Sequence, residues 1–225
     1  MSTSVPTDTR FEMTPRRSLT TRDAVWSVAL ARWLAHRGMT PNAVSVLSVA
    51  FAIAAGAALA VGPAPVSVPR VATLLIAAAC IQLRLLCNLL DGMLAVEEGL
   101  KTPTGDLFNE LPDRIADVVI LVGAGYAVRD QPLGLVLGWS AAVLALFTAY
   151  VRVLGGSLGV TQHFIGPMAK QHRMFTVTLA AFIAAGETLL GLPARAMVWG
   201  LAAITVGSLI TIVRRTNRTA AELSR

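Results

Sequence analysis

Seven of the thirteen acidic residues of this chain fall within the 27 positions from Asp91 to Asp117. The surrounding segment, residues 87–119, reads CNLLDGMLAVEEGLKTPTGDLFNELPDRIADVV. Asn88 and Asp91 are three apart, and Asn109 and Asp113 are four apart, so each pair shares one face of a helix. Two adjacent helices of this kind can turn four oxygen-bearing side chains into one cavity. Hard divalent cations such as Mg²⁺ or Mn²⁺ take oxygen ligands and keep positions open for substrate phosphates. Gly92, directly after Asp91, allows another backbone or a ligand to approach, and Gly99 to Gly105 with Pro103 forms the turn between the helices. Helix capping explains Asp106 and Asn109 taken singly. It does not explain Asp91 and Asp113 together.

The elements that must position these residues are membrane helices. Of 225 residues, 55% are hydrophobic and 14% are charged, and the mean hydropathy is +0.65, outside the composition of soluble domains. Residues 38–69, 131–151 and 196–213 carry no charge, and each approaches the ~20 residues a helix needs to cross a bilayer. Residues 71–90, 114–128 and 174–191 are as apolar but are interrupted by Arg84, Asp117 and Glu187. Long Ala, Leu and Gly runs lack the alternation of a membrane barrel. The expected fold is therefore all-α, an integral membrane bundle of six transmembrane helices over residues 38–215. Runs such as Ala54–Ala58 and Ala180–Gly186 either let helix backbones approach closely or reflect composition alone.

Six spans put both termini on one side. The segments assigned to that side hold fourteen Lys and Arg residues, among them Arg152, Lys170 and Arg173, whereas the opposite loops hold only Arg70, Arg129 and Arg195. The positive-inside bias puts both termini and the acidic segment in the cytoplasm, as in a bacterial inner membrane. The net charge of +6 then serves topology and anionic headgroups, and with no soluble basic domain nucleic acid is not an expected partner.

Residues 1–20 are polar and contain Pro6 and Pro15, so they form a loose tail rather than a signal peptide or a span. Thr20 and Asp23 suit a helix start, and Trp26, Leu30, Trp33 and Leu34 share a face opposite Arg22, Ser27 and Arg32. This predicts an interfacial amphipathic helix over residues 21–37 lying on the membrane. Residues 216–225 are a cytoplasmic tail. Cys80 and Cys87 are seven apart on one helix, about 10 Å along its axis, too far for a disulfide. His36, His163 and His172 show no metal-ligand spacing.

The acidic constellation resembles the signature of the CDP-alcohol phosphotransferase family, D-x-x-D-G-x-x-A-R followed after a short spacer by G-x-x-x-D-x-x-x-D. It stands here as Asn88, Asp91, Gly92, Ala95 and Val96, then Gly105, Asn109 and Asp113, with the spacing kept. Thr40, Pro41 and Asn42 resemble the Thr-Pro-Asn that opens the first membrane helix of that family, and Arg152, Gly166, Pro167, Lys170 and Arg173 resemble its basic fourth loop. The resemblance implies transfer of a phosphatidyl or other substituted phosphate group from a CDP-activated donor, such as CDP-diacylglycerol (CDP-DAG) or another CDP-alcohol, to an alcohol acceptor with release of CMP. It implies Asn88, Asp91, Asn109 and Asp113 as ligands of Mg²⁺ or Mn²⁺, with Asp113 also the general base. It implies Gly92, Ala95, Gly105 and Asn42 at the nucleotide, Arg152, Lys170 and Arg173 at a substrate phosphate, membrane lipids as surroundings and a homodimer as the assembly.

Three positions depart from the signature. Asn88 and Asn109 keep amide oxygens but lower the motif charge from four negatives to two, which weakens binding of a second cation. Glu97, Glu98, Asp106 and Glu110 are the nearby acids that can restore a ligand, Glu110 first among them. Val96 stands where the family has arginine, with Arg84 and Arg114 the available replacements, although Arg114 is equally placed to pair with Asp117 or Glu110. A noncatalytic relative that binds nucleotide or lipid is the alternative these departures favour. A transporter is a third, for which only Glu187 speaks, since the other acids gather at one end.

Overall fold

The computed structural model describes residues 25–61, 70–96, 98–100 and 103–224. The expected tail over residues 1–20, the helix start at Thr20 and Asp23, Glu97 and Lys101 lie outside the described residues. The described residues form seven helices and no strand: α1 (Val25–His36), α2 (Pro41–Ala60), α3 (Arg70–Val96), α4 (Gly105–Ala127), α5 (Gly134–Ser157), α6 (Lys170–Leu189) and α7 (Ala196–Leu223).

Local chemistry sets several of the boundaries. Thr40 Oγ1 accepts the Ala43 N–H at 3.2 Å and Pro41 occupies the first turn, so Thr-Pro-Asn is a helix start with its cap built in. Gly99 takes φ +68° in the link from α3 to α4, a backbone state that glycine enters without the steric cost of a side chain. The carboxylate of Glu187, near the end of α6, accepts the Ala196 N–H at 3.2 Å. That contact caps α7, whose N-terminal dipole favours a negative group, so the acid in the fifth expected span has an anchoring role.

The helices close into a ring. α2 packs on α3 and α4, α4 on α5, α5 on α7, α7 on α6, and α6 on α3. The order around the ring is therefore α2, α3, α6, α7, α5, α4, with α1 against α3. Small residues set the tightest crossings. A Cβ added at Gly123 of α4 would lie 2.7 Å from the Gly56 Cα of α2, and one at Gly125 would lie 2.9 Å from the Gly138 Cα of α5. Close backbone approach of this kind supplies van der Waals contact where lipid removes the hydrophobic drive for helices to associate.

Four helices, α2, α3, α5 and α7, are long and apolar enough to cross a membrane, and Ile53, Val136, Phe147, Phe182, Trp199 and Val206 are exposed on the bundle surface. The chain folds as an integral membrane protein. α4 and α6 contain 23 and 20 residues, long enough to span, but they carry charges. Of those charges Asp113, Asp117 and Arg173 are buried inside the ring, where charges in a bilayer belong.

One expectation changes at the N-terminal end of the described residues. In α1, Ser27 and Ala31 are buried while Trp26 and Trp33 remain about half exposed. Ser27 thus belongs to the packed face, not the polar one, because small side chains let α1 approach the bundle. α7 continues to Leu223, so most of residues 216–225, the expected cytoplasmic tail, are helical. Cys80 and Cys87 are free thiols.

Candidate functional site

The site grows from two helical stripes. Arg84, Asn88 and Asp91 recur at i, i+4 and i+7 on α3, and Asn109, Asp113 and Asp117 at i, i+4 and i+8 on α4, so each set follows one face. Asn88 Nδ2 donates to Asp113 Oδ1 at 2.7 Å. Arg84 Nη2 donates to the same oxygen at 3.1 Å and to Asp117 Oδ1 at 2.9 Å. α6 closes the other side. Lys170 Nζ donates to Asp113 Oδ2. Arg173 donates from Nη2 to Asp117 Oδ2 at 2.6 Å, and from Nη1 to Thr148 Oγ1 at 3.2 Å and Met168 O at 3.0 Å.

Arg84, Asp113, Asp117 and Arg173 are all buried. Isolated charges would be costly there, and they persist because each is ion-paired, although Arg84 Nε and Nη1 and Arg173 Nε have no hydrogen-bond partner among the described residues. Asp91 differs. Its Oδ2 accepts the Ser45 hydroxyl at 2.7 Å, yet its Oδ1 is buried with no hydrogen-bond partner among the described residues. A buried carboxylate oxygen without a donor is a candidate metal ligand, and the Asn88 amide oxygen, on a side chain tied to Asp113, is a neutral second. The donor set fits one divalent ion. Asp113 offers little to another, since both its oxygens already take cationic or amide donors, and no group of three His, Cys, Asp or Glu suited to a metal occurs among the described residues.

A cavity of about 270 Å³ opens beside the carboxylates. Its walls carry Arg114, Arg152, Lys170, Arg173 and Arg215 against Glu110 and Asp113, with Asn109 also present. Arg152 is held from three sides: Nη2 donates to Glu110 Oε1, Nη1 donates to Gln162 Oε1 at 2.8 Å, and its guanidinium lies 5.3 Å from the Phe164 ring centre. This excess of positive charge suits an anionic ligand. Glu110 therefore holds Arg152 and also approaches Arg114, 3.6 Å away.

The remaining sequence candidates gather near the same end. Gly92 is buried, Ala95 is half-buried and Gly105 begins α4. Asn42 Nδ2 donates to Thr104 Oγ1 at 3.3 Å, joining the start of α2 to the start of α4. Arg84 reaches Asp113 and Asp117, and Arg114 pairs with Glu110. Sequence reasoning missed Ser45, Thr148 and Arg215, and treated Asp117 as an interruption. Asp117 was signalled by its position four residues after Asp113, and Ser45 by its position three after Asn42. Arg215, counted only as a topology charge, donates to Ile165 O at 2.9 Å and to Thr148 O at 2.6 Å. It ties α7 to the α5–α6 link that carries Phe164, and no spacing signalled that contact.

Fold and site together define a polytopic helical membrane protein with a carboxylate cluster and a basic cavity at one end. No family model matches the chain. An uncharacterized protein of Aquifex aeolicus (strain VF5) is 32% identical over 136 residues, covering 60% of this chain and 63% of that protein, so the match spans less than two thirds of that relative. Among solved structures, the phosphatidylinositol phosphate synthase of Mycobacterium tuberculosis with CDP-DAG bound superposes with a TM-score of 0.73 at 24% identity, covering 87% of this chain and 94% of that one. The same enzyme in complex with manganese and citrate gives 0.72 at 23% identity over 86% and 88% of the two chains. Its apo form gives 0.69 at 22% identity over 84% and 93%. The likeness establishes a shared fold.

Proposed function

We propose that this protein is a membrane phosphotransferase of the CDP-alcohol phosphotransferase family, acting in phospholipid biosynthesis. It transfers a phosphatidyl or related substituted phosphate group from a CDP-activated donor, CDP-DAG first among the candidates, to an alcohol acceptor. The observation that carries this reading is the hydrogen bond from Asn88 to Asp113 at 2.7 Å, which joins the two halves of the signature beside a basic cavity. The fold shared with a synthase whose structure holds CDP-DAG supports the donor class.

In this reading the acceptor hydroxyl loses its proton to the Asp113 carboxylate. The resulting oxygen forms a bond to the phosphorus that carries the diacylglycerol, and the bond from that phosphorus to the CMP oxygen breaks. Lys170 and Arg84 hold Asp113 in place. Arg152 and Lys170, with Arg173 behind them, hold the anionic group of donor or acceptor. Gly92, Ala95, Gly105 and Asn42 border the nucleotide. A divalent ion, Mg²⁺ or Mn²⁺, bound at Asp91 with Asn88 and Asn109 would neutralise pyrophosphate charge and that of the departing CMP oxygen. Six spans, a cytoplasmic site, an inner-membrane location and a homodimer belong to the same proposal.

The test is CMP release by purified protein from CDP-DAG with Mn²⁺ or Mg²⁺, across a panel of alcohol acceptors. Metal-dependent release that Asp91→Ala and Asp113→Ala abolish supports the transferase. No release with any acceptor, and no binding of CDP-DAG, overturns it. A noncatalytic relative is the second reading, favoured by the neutral Asn88 and Asn109, and it predicts CDP-DAG binding without turnover of CDP-DAG or of CDP-linked headgroup donors.

A further inference from the structure

We infer that this site takes one divalent ion per chain, at Asp91, and that the Lys170 ammonium supplies at Asp113 the positive charge a second ion would otherwise bring. The inference rests on the metal-dependent reading above and deepens it. Both oxygens of Asp113 are engaged: Oδ1 accepts from Asn88 and Arg84, and Oδ2 from Lys170, with Arg114 Nη2 a further 3.8 Å away. Asp117 is likewise held by Arg84 and Arg173. These two carboxylates therefore meet three cations in direct contact and present no surplus negative charge. Asp91 is the remaining buried carboxylate of the cluster. It is 4% exposed, accepts the neutral Ser45 hydroxyl at Oδ2 and leaves Oδ1 without a hydrogen-bond partner among the described residues.

The asparagines point the same way. Asn88 spends its N–H on Asp113, so an ion can draw only on its amide oxygen, and neither Asn88 nor Asn109 contributes charge. A dication at Asp113 would also face the ammonium already bonded to that carboxylate, a repulsion that grows as the surrounding dielectric falls. The side chain that displaces a second ion is thus a resident of the site, brought there by the first turn of α6.

The experiment counts Mn²⁺ bound to the purified full chain in lipid nanodiscs, from loss of the aqueous Mn²⁺ electron paramagnetic resonance signal, with CMP release from CDP-DAG measured on the same samples. One equivalent is expected for the wild type, with none in Asp91→Asn. Lys170→Met, a change at a partly exposed side chain, is expected to bind Mn²⁺ about tenfold more tightly, since it removes a nearby positive charge, while its CMP release falls. Two equivalents in the wild type overturn the inference, as does unchanged or weaker Mn²⁺ affinity in Lys170→Met, the result for a lysine that serves only packing or substrate binding. Retained Mn²⁺ in Asp91→Asn overturns it as well. The parent reading fails separately, through absence of CMP release at saturating Mn²⁺ with every acceptor, whatever the count of bound ions.

Discussion

Asp113 stands where the two halves of the motif meet the basic cavity, and its four polar neighbours define what it can do. Replacing it with Asn keeps the shape and removes the proposed proton acceptor. CMP release is then expected to fall about 10²–10⁴-fold, the range for a lost general base, while CDP-DAG binding persists; equal rates for Asp113→Asn and wild type would remove the residue from the chemistry. Arg84 has a different duty. It is fully buried between Asp113 and Asp117, so Arg84→Met leaves two carboxylates short of a partner and is expected to cost about 3–5 kcal/mol, read as a lowered midpoint in thermal unfolding in detergent. The motif residues were legible because fixed spacing survives substitution: Asn88 and Asn109 still mark the helix faces. Arg84 was legible as a charge inside an apolar stretch. Arg215 was not, because its acceptors are backbone carbonyls of Thr148 and Ile165, and any residue type offers a carbonyl.

At the scale of elements, α4 concentrates the consequences. It carries Asn109, Asp113 and Asp117 on one face and the glycines of its crossings further along. Gly125→Leu forces a side chain against the backbone of Gly138 and is expected to destabilise by about 1–3 kcal/mol, the usual cost of overpacking; thermal unfolding of the variant decides it, and an unchanged midpoint would mean that α4 and α5 separate freely. The long uncharged stretches declared α2, α5 and α7 in the sequence. α4 and α6 were harder to read because hydropathy counts each charge as exposed, whereas Asp117 and Arg173 neutralise each other inside the ring at 2.6 Å. The packed face of α1 was misread for a related reason: pattern alone classes Ser27 as polar, but its small size is what allows α1 to pack closely.

For the whole molecule, Arg84, Lys170 and Arg173, the cations bonded to Asp113 and Asp117, gather at one end of the bundle. The far end has arginines with structural duties: Arg70 donates to Ala127 O at 2.6 Å and Arg129 to Ala60 O at 2.9 Å, each at the C-terminus of a helix, where a cation complements the dipole. The proposed six spans predict that Asp130→Cys and Leu192→Cys, in a background with Cys80 and Cys87 replaced by Ala, are labelled by an impermeant thiol reagent from outside intact cells. Ser224→Cys and Gly159→Cys are expected to react only after permeabilisation. Labelling of all four from one side would break the topology.

In the proposed reaction the substituted phosphate group moves from the CDP-linked donor to the alcohol. The direct measurement follows CDP-DAG labelled at the phosphorus bonded to diacylglycerol, incubated in nanodiscs with the purified protein, Mn²⁺ and an acceptor panel. The label is expected in a new lipid bearing the acceptor headgroup, mole for mole with released CMP, and Asp113→Asn is expected to block both. Label that stays in CDP-DAG with every acceptor, or that passes only to phosphatidic acid, would contradict it.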